Sequence, residues 1–359
     1  MTRIHRLRVD GIRNLTGIDI SPGPGLNVFV GENGAGKTSV LESLHCLSRG
    51  RSFLGSGRHE YLNRDSRKAV IVVDLERTPG DRRVLGLERE GSEWTAKASG
   101  VALKSLALLA EQLPFCVFHP GLHRLVDGVP EDRRQFLDFA VFHVEHRFIH
   151  HWRRYRNTLK QRNAAIRTGA GVEEVGVWDG ELIEHGQAIA DYRSKQAALI
   201  AAHSQQFLAS FAPTLAGLSL TMAQGWPEDL SLSEALKESL AQDRDLGYTT
   251  RGPHRADLRM VLHNQRIAGR LSRGQQKMIA LSLLLAQVQV MAEAGQLPVV
   301  GFDDLPSELD KDHQQSIIQL VRNTGGQVWI TGNECPVGVV PGGQDKVFHV
   351  EQGQLTELV

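Results

Sequence analysis

Residues 31–38 read GENGAGKT, and they are enough to place this chain among the α/β proteins. The octapeptide fits G-x-x-x-x-G-K-[ST] in full, the pattern of a phosphate-binding P-loop. Gly31, Gly34 and Gly36 let the backbone curl so that successive N–H groups face phosphate oxygens, with Glu32, Asn33 and Ala35 between them and Ser39 just beyond. Lys37 can reach the β- and γ-phosphates, and Thr38 can offer its hydroxyl to Mg²⁺. The flanks agree with the motif. LNVFV (26–30) reads as a buried strand, and a helix is expected from about Lys37.

Outward from the loop, Ile4, Leu7 and Val9, then Ile18 and Ile20, alternate as strand residues do, with SPGPG (21–25) as a turn. AVIVVDL (69–75) predicts a strand that 84–88 can pair with. Residues 101–112 look helical and 115–118 read as a short buried strand. From 131 to 167 the pattern is helical, 168–177 is a Gly- and Val-rich loop, and 178–210 is helical again. In that last run Trp178, Leu182, Ile189, Tyr192 and Leu199 recur at the spacing of a helix seam. A shorter helix is expected at 231–245, and strands at 257–262, 297–302 and 327–330. The expectation is one α/β layer in two pieces, 1–118 and 249–359, with a helical lobe, 119–248, inserted between them.

A P-loop needs an acidic partner, and PVVGFDD (298–304) supplies an apolar strand that ends in two carboxylates. Asp303 is expected to hold Mg²⁺ through water, and Asp304 to orient or deprotonate the attacking water. Lys37 and Asp304 are thus the catalytic candidates, and Thr38 and Asp303 the metal ligands. No N-K-x-D occurs, so guanine specificity has no support and ATP is the expected nucleotide. A second helix mouth stands at LSRGQQK (271–277), ahead of an apolar helix. Free N–H groups and the helix dipole make such a mouth suited to an anion. Ser272 as a cap and Gln275 in the first turn would equally well close a core helix, and the two roles present the same groups.

Bulk properties narrow the class without choosing the function. At 359 residues the chain has room for about two domains. Cys46, Cys116 and Cys335 lie far apart, which gives neither a disulfide framework nor metal spacing and fits a reducing cytosol. The charged opening MTRIHRLRVDG has no signal-peptide core, and the longest apolar run, 278–286, is too short to span a bilayer. The 41 basic residues balance 41 acidic ones, so only local clustering can speak for nucleic acid. One such cluster exists. From His146 to Val172 there is no acid, and Arg153, Arg156, Lys160 and Arg167 share a helical face, as a phosphate-neutralising stripe or a solvated face would.

P-loop, then LSRGQ, then DD is the order of an ABC-type ATPase head, and LSRGQ resembles the ABC signature. That resemblance implies that Ser272, Arg273, Gly274 and Gln275 close over the γ-phosphate held by a second copy's P-loop, in an ATP-dependent homodimer. SELD (307–310) then resembles the D-loop, with Ser307 and Asp310. IRN (12–14), GRSF (50–53), GVPEDRRQFLD (128–138), GPHRAD (252–257) and FDDLPSELD (302–310) resemble a narrower group, the RecF family, over nearly the whole chain. The resemblance implies an ABC/SMC-type P-loop ATPase head with a shortened coiled coil as the helical lobe. It also places Arg13 at the ATP site. It implies slow, DNA-stimulated ATP hydrolysis and binding to duplex DNA and single-strand/duplex junctions. It further implies partnership with RecR, and with RecO and RecA indirectly, in the cytoplasm and away from membranes.

The chain departs from the family pattern at Leu54, Gly121 and Val129. It also lacks two generic ABC groups: His119-Pro120 stand where a lid Gln is usual, and Thr331-Gly332-Asn333 where a switch His is usual. The rival readings are the nucleotide-binding subunit of an ABC transporter, which would carry a more compact insert, and another SMC-like ATPase.

Overall fold

The computed structural model describes residues 1–55, 62–63, 66–91, 93–267, 269–339 and 342–358. They divide into two compact units. The first joins Met1–Leu122 to Met291–Val359, and the second is His123–Val290. Expectation ended the inserted lobe at 248, whereas residues 249–290 fall in the second unit. The reason is a sheet: Asp257–Leu262 pairs antiparallel with Leu218–Ala223, a strand outside the expected elements.

The first unit holds two six-stranded sheets. One runs in the spatial order Gln354–Leu358, Lys346–Glu351, Leu26–Val30, Val328–Gly332, Val299–Phe302, Phe115–Phe118. Its inner pairs are all parallel, and only the last hairpin of the chain is antiparallel. FCVF, VVGF and VWITG are buried at every residue, as strands covered on both faces must be. The other sheet is antiparallel throughout: Ile18–Ile20, Arg3–Asp10, Lys68–Glu76, Arg82–Glu90, Glu93–Ala98, Val101–Ala102. Lys68–Glu76 alternates between buried and open positions, the period-2 pattern of a sheet with one covered face. The pairing of 69–75 with 84–88 is as expected.

One apolar cluster takes in both sheets and the helix that follows the P-loop, Lys37–Arg49. Leu7, Ile71 and Leu87 come from the antiparallel sheet, Phe29, Trp329 and Phe348 from the parallel one, and Val40, Leu44 and Leu47 from the helix. Phe29 stacks on Trp329 at 5.3 Å and on Phe348 at 5.1 Å between ring centres.

Two local readings needed correction. The expected helix 101–112 is only Leu106–Ala110, because Val101–Ala102 folds back on Lys97–Ala98 as a hairpin strand. The hairpin Lys346–Glu351/Gln354–Leu358 was not foreseen at all. Its two-residue turn, Gln352-Gly353, has positive φ at both positions, 47° and 77°, the type I′ geometry that suits a hairpin's twist.

In the second unit the long helices are Pro130–Val144, Phe148–Arg167, Asp179–Phe211, Leu232–Leu246 and the greater part of Arg273–Glu293. The helical run expected from 131 to 167 is broken at 145–147, and the expected loop 168–177 contains a short helix, Val172–Gly176. Tyr155, Leu182 and Ile189 share a buried cluster with Phe148, Trp226 and Leu232. Leu199, expected on the seam, is exposed.

Candidate functional site

The P-loop is held open by close backbone packing. A Cβ at Gly31 would sit 2.1 Å from the carbonyl oxygen of Val350, and one at Gly36 would meet the Asn14 amide at 2.9 Å. Gly34 and Gly36 have φ of 81° and 117°, which disfavour any side chain. Asn14 Nδ2 donates to the carbonyl of Gly34 at 3.0 Å, and Gly353 N donates to that of Ala35 at 2.8 Å. The loop is thus clamped by the 12–14 turn and by the last hairpin of the chain. Glu32, Asn33 and Gly34 are exposed, while Ala35 and Ser39 are buried.

Lys37 is buried, and its ammonium donates to the carbonyls of Gly31 (2.7 Å) and Glu32 (2.8 Å) and to Asn333 Oδ1 (2.9 Å). Burial pulls its pKa below the ordinary lysine value, and the charges of Asp304 and Asp303 pull the other way. Thr38 Oγ1 donates to Asp303 Oδ1 at 2.7 Å, which brings the two expected metal ligands together. Asp303 is buried, and burial raises its pKa above the usual carboxylate value. The hydroxyls of Thr38 and Thr331 oppose that rise, and Asp304 and Glu308 reinforce it.

Thr331 and Asn333 occupy the place of the missing switch histidine, and both belong to the site. Thr331 Oγ1 donates to Asp303 Oδ1 at 2.8 Å and accepts from Asp304 N at 2.8 Å. One hydroxyl therefore ties the two carboxylate residues together, and Asn333 ties the lysine to the same strand end. The sequence carried this signal only as an absence, since Thr-Gly-Asn stood where His was sought. Asp304 sits in the left-handed region, at φ 54° and ψ 43°, a position that costs most side chains on the order of 1 kcal/mol and that Asp tolerates better. Its Oδ1 accepts from the hydroxyl of Ser307 at 2.9 Å. Asp310 caps the helix Lys311–Asn323 through His313 N at 3.0 Å.

Arg13 has φ 52°, and its Nε and Nη2 each donate to Glu42 at 2.9 Å. Glu42 is fully buried on the P-loop helix and also accepts from Ser52. This bidentate pair braces the helix against the 12–14 turn, a role the motif comparison did not suggest. Among the described residues no cluster of three or more His, Cys, Asp or Glu could hold a metal ion. A site of one hydroxyl and one carboxylate fits Mg²⁺, which keeps several waters and takes its other oxygens from phosphates.

In the second unit, Ser272 and Gln275 form a reciprocal cap. Ser272 N donates to Gln275 Oε1 at 3.0 Å, and Gln275 N donates to Ser272 Oγ at 3.2 Å. Ser272, Arg273, Gly274 and Gln275 are all exposed, so the cap stands at an open helix mouth. On Phe148–Arg167 the side chains Arg153, Arg156, Lys160 and Arg167 are exposed too, with Arg156 lying 4.6 Å from the Trp152 ring centre. Arg162, from the same basic stretch, is fully buried and bonds Asp179, Asp243 and Thr249, each at 2.8 Å. It is a core strut and cannot face a phosphate.

The most family-specific segments meet one another here. Arg133 donates to both carboxylate oxygens of Asp257, at 2.7 and 3.2 Å, and Arg134 to the carbonyl of Ala256 at 2.6 Å. Arg193 grips Asp138 and the carbonyl of Pro253. His254 Nε2 bonds the carbonyl of Thr249 at 2.9 Å, so it must carry the proton, and Nδ1 accepts from the Tyr155 hydroxyl at 2.6 Å. RRQFLD and GPHRAD are joined as a scaffold of the unit. Leu54 and Val129 are exposed.

A family model described as an AAA domain matches residues 6–100. The DNA replication and repair protein RecF of Stenotrophomonas maltophilia (strain R551-3) is 38% identical over 364 residues, spanning 99% of this chain and 100% of that one. RecF of Xanthomonas euvesicatoria pv. vesicatoria (strain 85-10) is 40% identical over 98% of this chain and 97% of its own length. Among solved structures, the recombination mediator protein RecF with ATP, of the RecFOR pathway, superposes with TM-score 0.89 at 23% identity, over 100% of this chain and 98% of that one. The Smc head domain of Pyrococcus furiosus, with an extended coiled coil and bound to the C-terminal domain of ScpA, has TM-score 0.60 at 14% identity, over 100% of this chain and 96% of that one. The fold is that of RecF and SMC heads.

Proposed function

Because this chain belongs to the RecF family of DNA replication and repair proteins, we propose that it is an ATP-switched, DNA-binding dimer. It binds ATP and Mg²⁺ at the P-loop, dimerises, and marks duplex DNA and single-strand/duplex junctions. There it promotes RecA loading at gaps together with RecR and RecO, in the cytoplasm. The observation that carries the reading is the Lys37–Thr38–Asp303–Asp304 constellation, drawn together by Thr331 and Asn333. Among the described residues no helix is long and apolar enough to cross a membrane.

The chemistry follows from the side chains. Thr38 Oγ1 and Asp303 would hold Mg²⁺, which supplies charge neutralisation at the phosphates when bound. Lys37 exchanges its carbonyl and Asn333 partners for β- and γ-phosphate oxygens, and the N–H groups of residues 33–38 line the same cradle. Arg13 positions the P-loop helix through Glu42 and could reach the nucleotide as that brace loosens. Asp304 orients and deprotonates the attacking water. Its carboxylate is one methylene shorter than a glutamate's, and its backbone is anchored on Thr331, so we expect slow turnover; its acceleration by DNA is what the family resemblance implies. The mouth at Ser272, Arg273, Gly274 and Gln275 closes over the γ-phosphate of a second copy, and Ser307 and Asp310 border the same junction. Arg153, Arg156, Lys160 and Arg167 contact DNA phosphates.

The test is sedimentation velocity with and without ATP, repeated with duplex DNA. ATP should convert monomer to dimer, and Lys37→Ala should abolish both tight ATP binding and that shift. Undiminished ATP affinity in the variant would refute the site, and a mass unchanged by ATP would refute the switch.

A further inference from the structure

The second unit contains a cavity of about 940 Å³, the size of a small-ligand or peptide-anchor site, whose rim is rich in arginine and holds no lysine. Arg133 on this rim is neutralised by Asp257. Arg251, Arg255, Arg259 and Arg266 form no ion pair among the described residues, and the one other acid at the rim, Glu228, is exposed. In a chain with zero formal net charge this is a concentrated positive concavity.

The fold forces the gathering. Arg259 lies two residues before Val261 on the middle strand of the small sheet, and Val261 is paired with Arg266 on its neighbour. Arg259 and Arg266 therefore share one sheet face as a diagonal pair, an arrangement that like charges disfavour unless an anion lies between them. Arg255 reaches the same rim from the turn Pro253–Arg255, its guanidinium 4.9 Å over the ring of Tyr248. Leu258 and Met260 alternate onto the opposite, buried face of the strand that carries Arg259. The apolar part of the lining on the arginines' side comes from Trp226, Pro227 and Ala223, the last paired with Asp257 on the same face.

We propose that this cavity docks an acidic peptide segment of a partner protein, with an apolar side chain seated against Trp226, Pro227 and Ala223 and flanking carboxylates on the arginines. Guanidinium forks match carboxylates bidentately, and the apolar lining rewards a side chain between the acids. Nucleic acid fits less well. A stacking platform leaves its ring open to a base, whereas Tyr248 already carries Arg255 on its face. A duplex would present phosphates to the rim and nothing to the apolar lining.

The test uses the full chain and a labelled peptide of alternating Glu and Leu, followed by fluorescence anisotropy. The peptide should bind in a salt-sensitive way, and its Gln/Leu counterpart should not. Arg259→Ala with Arg266→Ala, both exposed, should weaken binding by roughly tenfold per lost charge-assisted contact while leaving ATP binding unchanged. No binding to the native chain, equal binding by the double variant, or equal binding of the Gln/Leu peptide would overturn the proposal. So would loss of oligothymidylate binding in the double variant with the acidic peptide unaffected, which would make the cavity a nucleic-acid site.

Discussion

Asp303 is the residue on which the fold spends stability for function. Its folded pKa is raised by burial, so the charged form is disfavoured in the native state. The penalty is present at neutral pH and is relieved as pH falls through the raised pKa. Asparagine keeps an acceptor for Thr38 and Thr331 without the charge. Asp303→Asn should therefore raise the melting temperature in EDTA by on the order of a few degrees, while magnesium no longer strengthens ATP binding. Calorimetry with and without the metal checks both halves, and a variant that melts lower would mean that the carboxylate stabilises the fold. Asp304→Asn should instead keep ATP binding and stop turnover. Hydrolysis at the native rate would remove Asp304 from its role.

At the scale of elements, His254 links GPHRAD to the helix Phe148–Arg167 through Tyr155. Burial, helped by Arg255 and Arg134, pushes its pKa down to about 4. A lowered histidine stabilises the fold above its unfolded value near 6.5, and that contribution is lost as pH falls from there to about 4. Urea unfolding of the native chain should weaken across this window more steeply than that of His254→Gln, by up to about 1.4 kcal/mol per pH unit. Parallel pH profiles would show that the histidine is not held neutral.

The exposed face of the same helix makes a different claim. Arg153→Ala, Arg156→Ala and Lys160→Ala together should flatten the salt dependence of duplex binding by roughly 0.9 in log–log slope per lost phosphate contact. An unchanged slope would return the stripe to solvent.

Elements like these show what the sequence could and could not convey. The loop 31–38, its strand and helix, and the DD strand end were legible because the backbone geometry demands those residue types at those positions. Arg162 looked like one basic residue among several, and only the fold reveals it buried between Asp179 and Asp243. Thr331 and Asn333 were passed over because hydroxyls and amides are common at strand ends, and their partners lie far away in the chain. The sheet that moves 249–290 into the second unit depends on Leu218–Ala223, whose LSLTMA alternates as a strand should but spans only six residues between two helical runs.

For the whole molecule, the reading demands two copies. Ser272→Arg should leave ATP binding by a single subunit intact and prevent the ATP-dependent dimer, since Ser272 would face the other copy's phosphate. Mixed with Lys37→Ala, each heterodimer would keep one composite site with both halves sound, because both lesions fall in the other. Partial ATP-dependent association in the mixture, absent from either variant alone, is the expected sedimentation result. A Ser272→Arg chain that dimerises as the native one does would sink the two-copy arrangement. The order of synthesis adds a further consequence. Leu26–Val30 leaves the ribosome well before both its neighbours, Val328–Gly332 and Lys346–Glu351, have been made. The clamp on Ala35 comes later still, from Gly353. A nascent or prematurely terminated chain therefore carries the P-loop residues without the frame that shapes them. Nucleotide capture thus waits until translation has passed Gly353, and fragments that stop short of it cannot enter the dimer as poisoned halves.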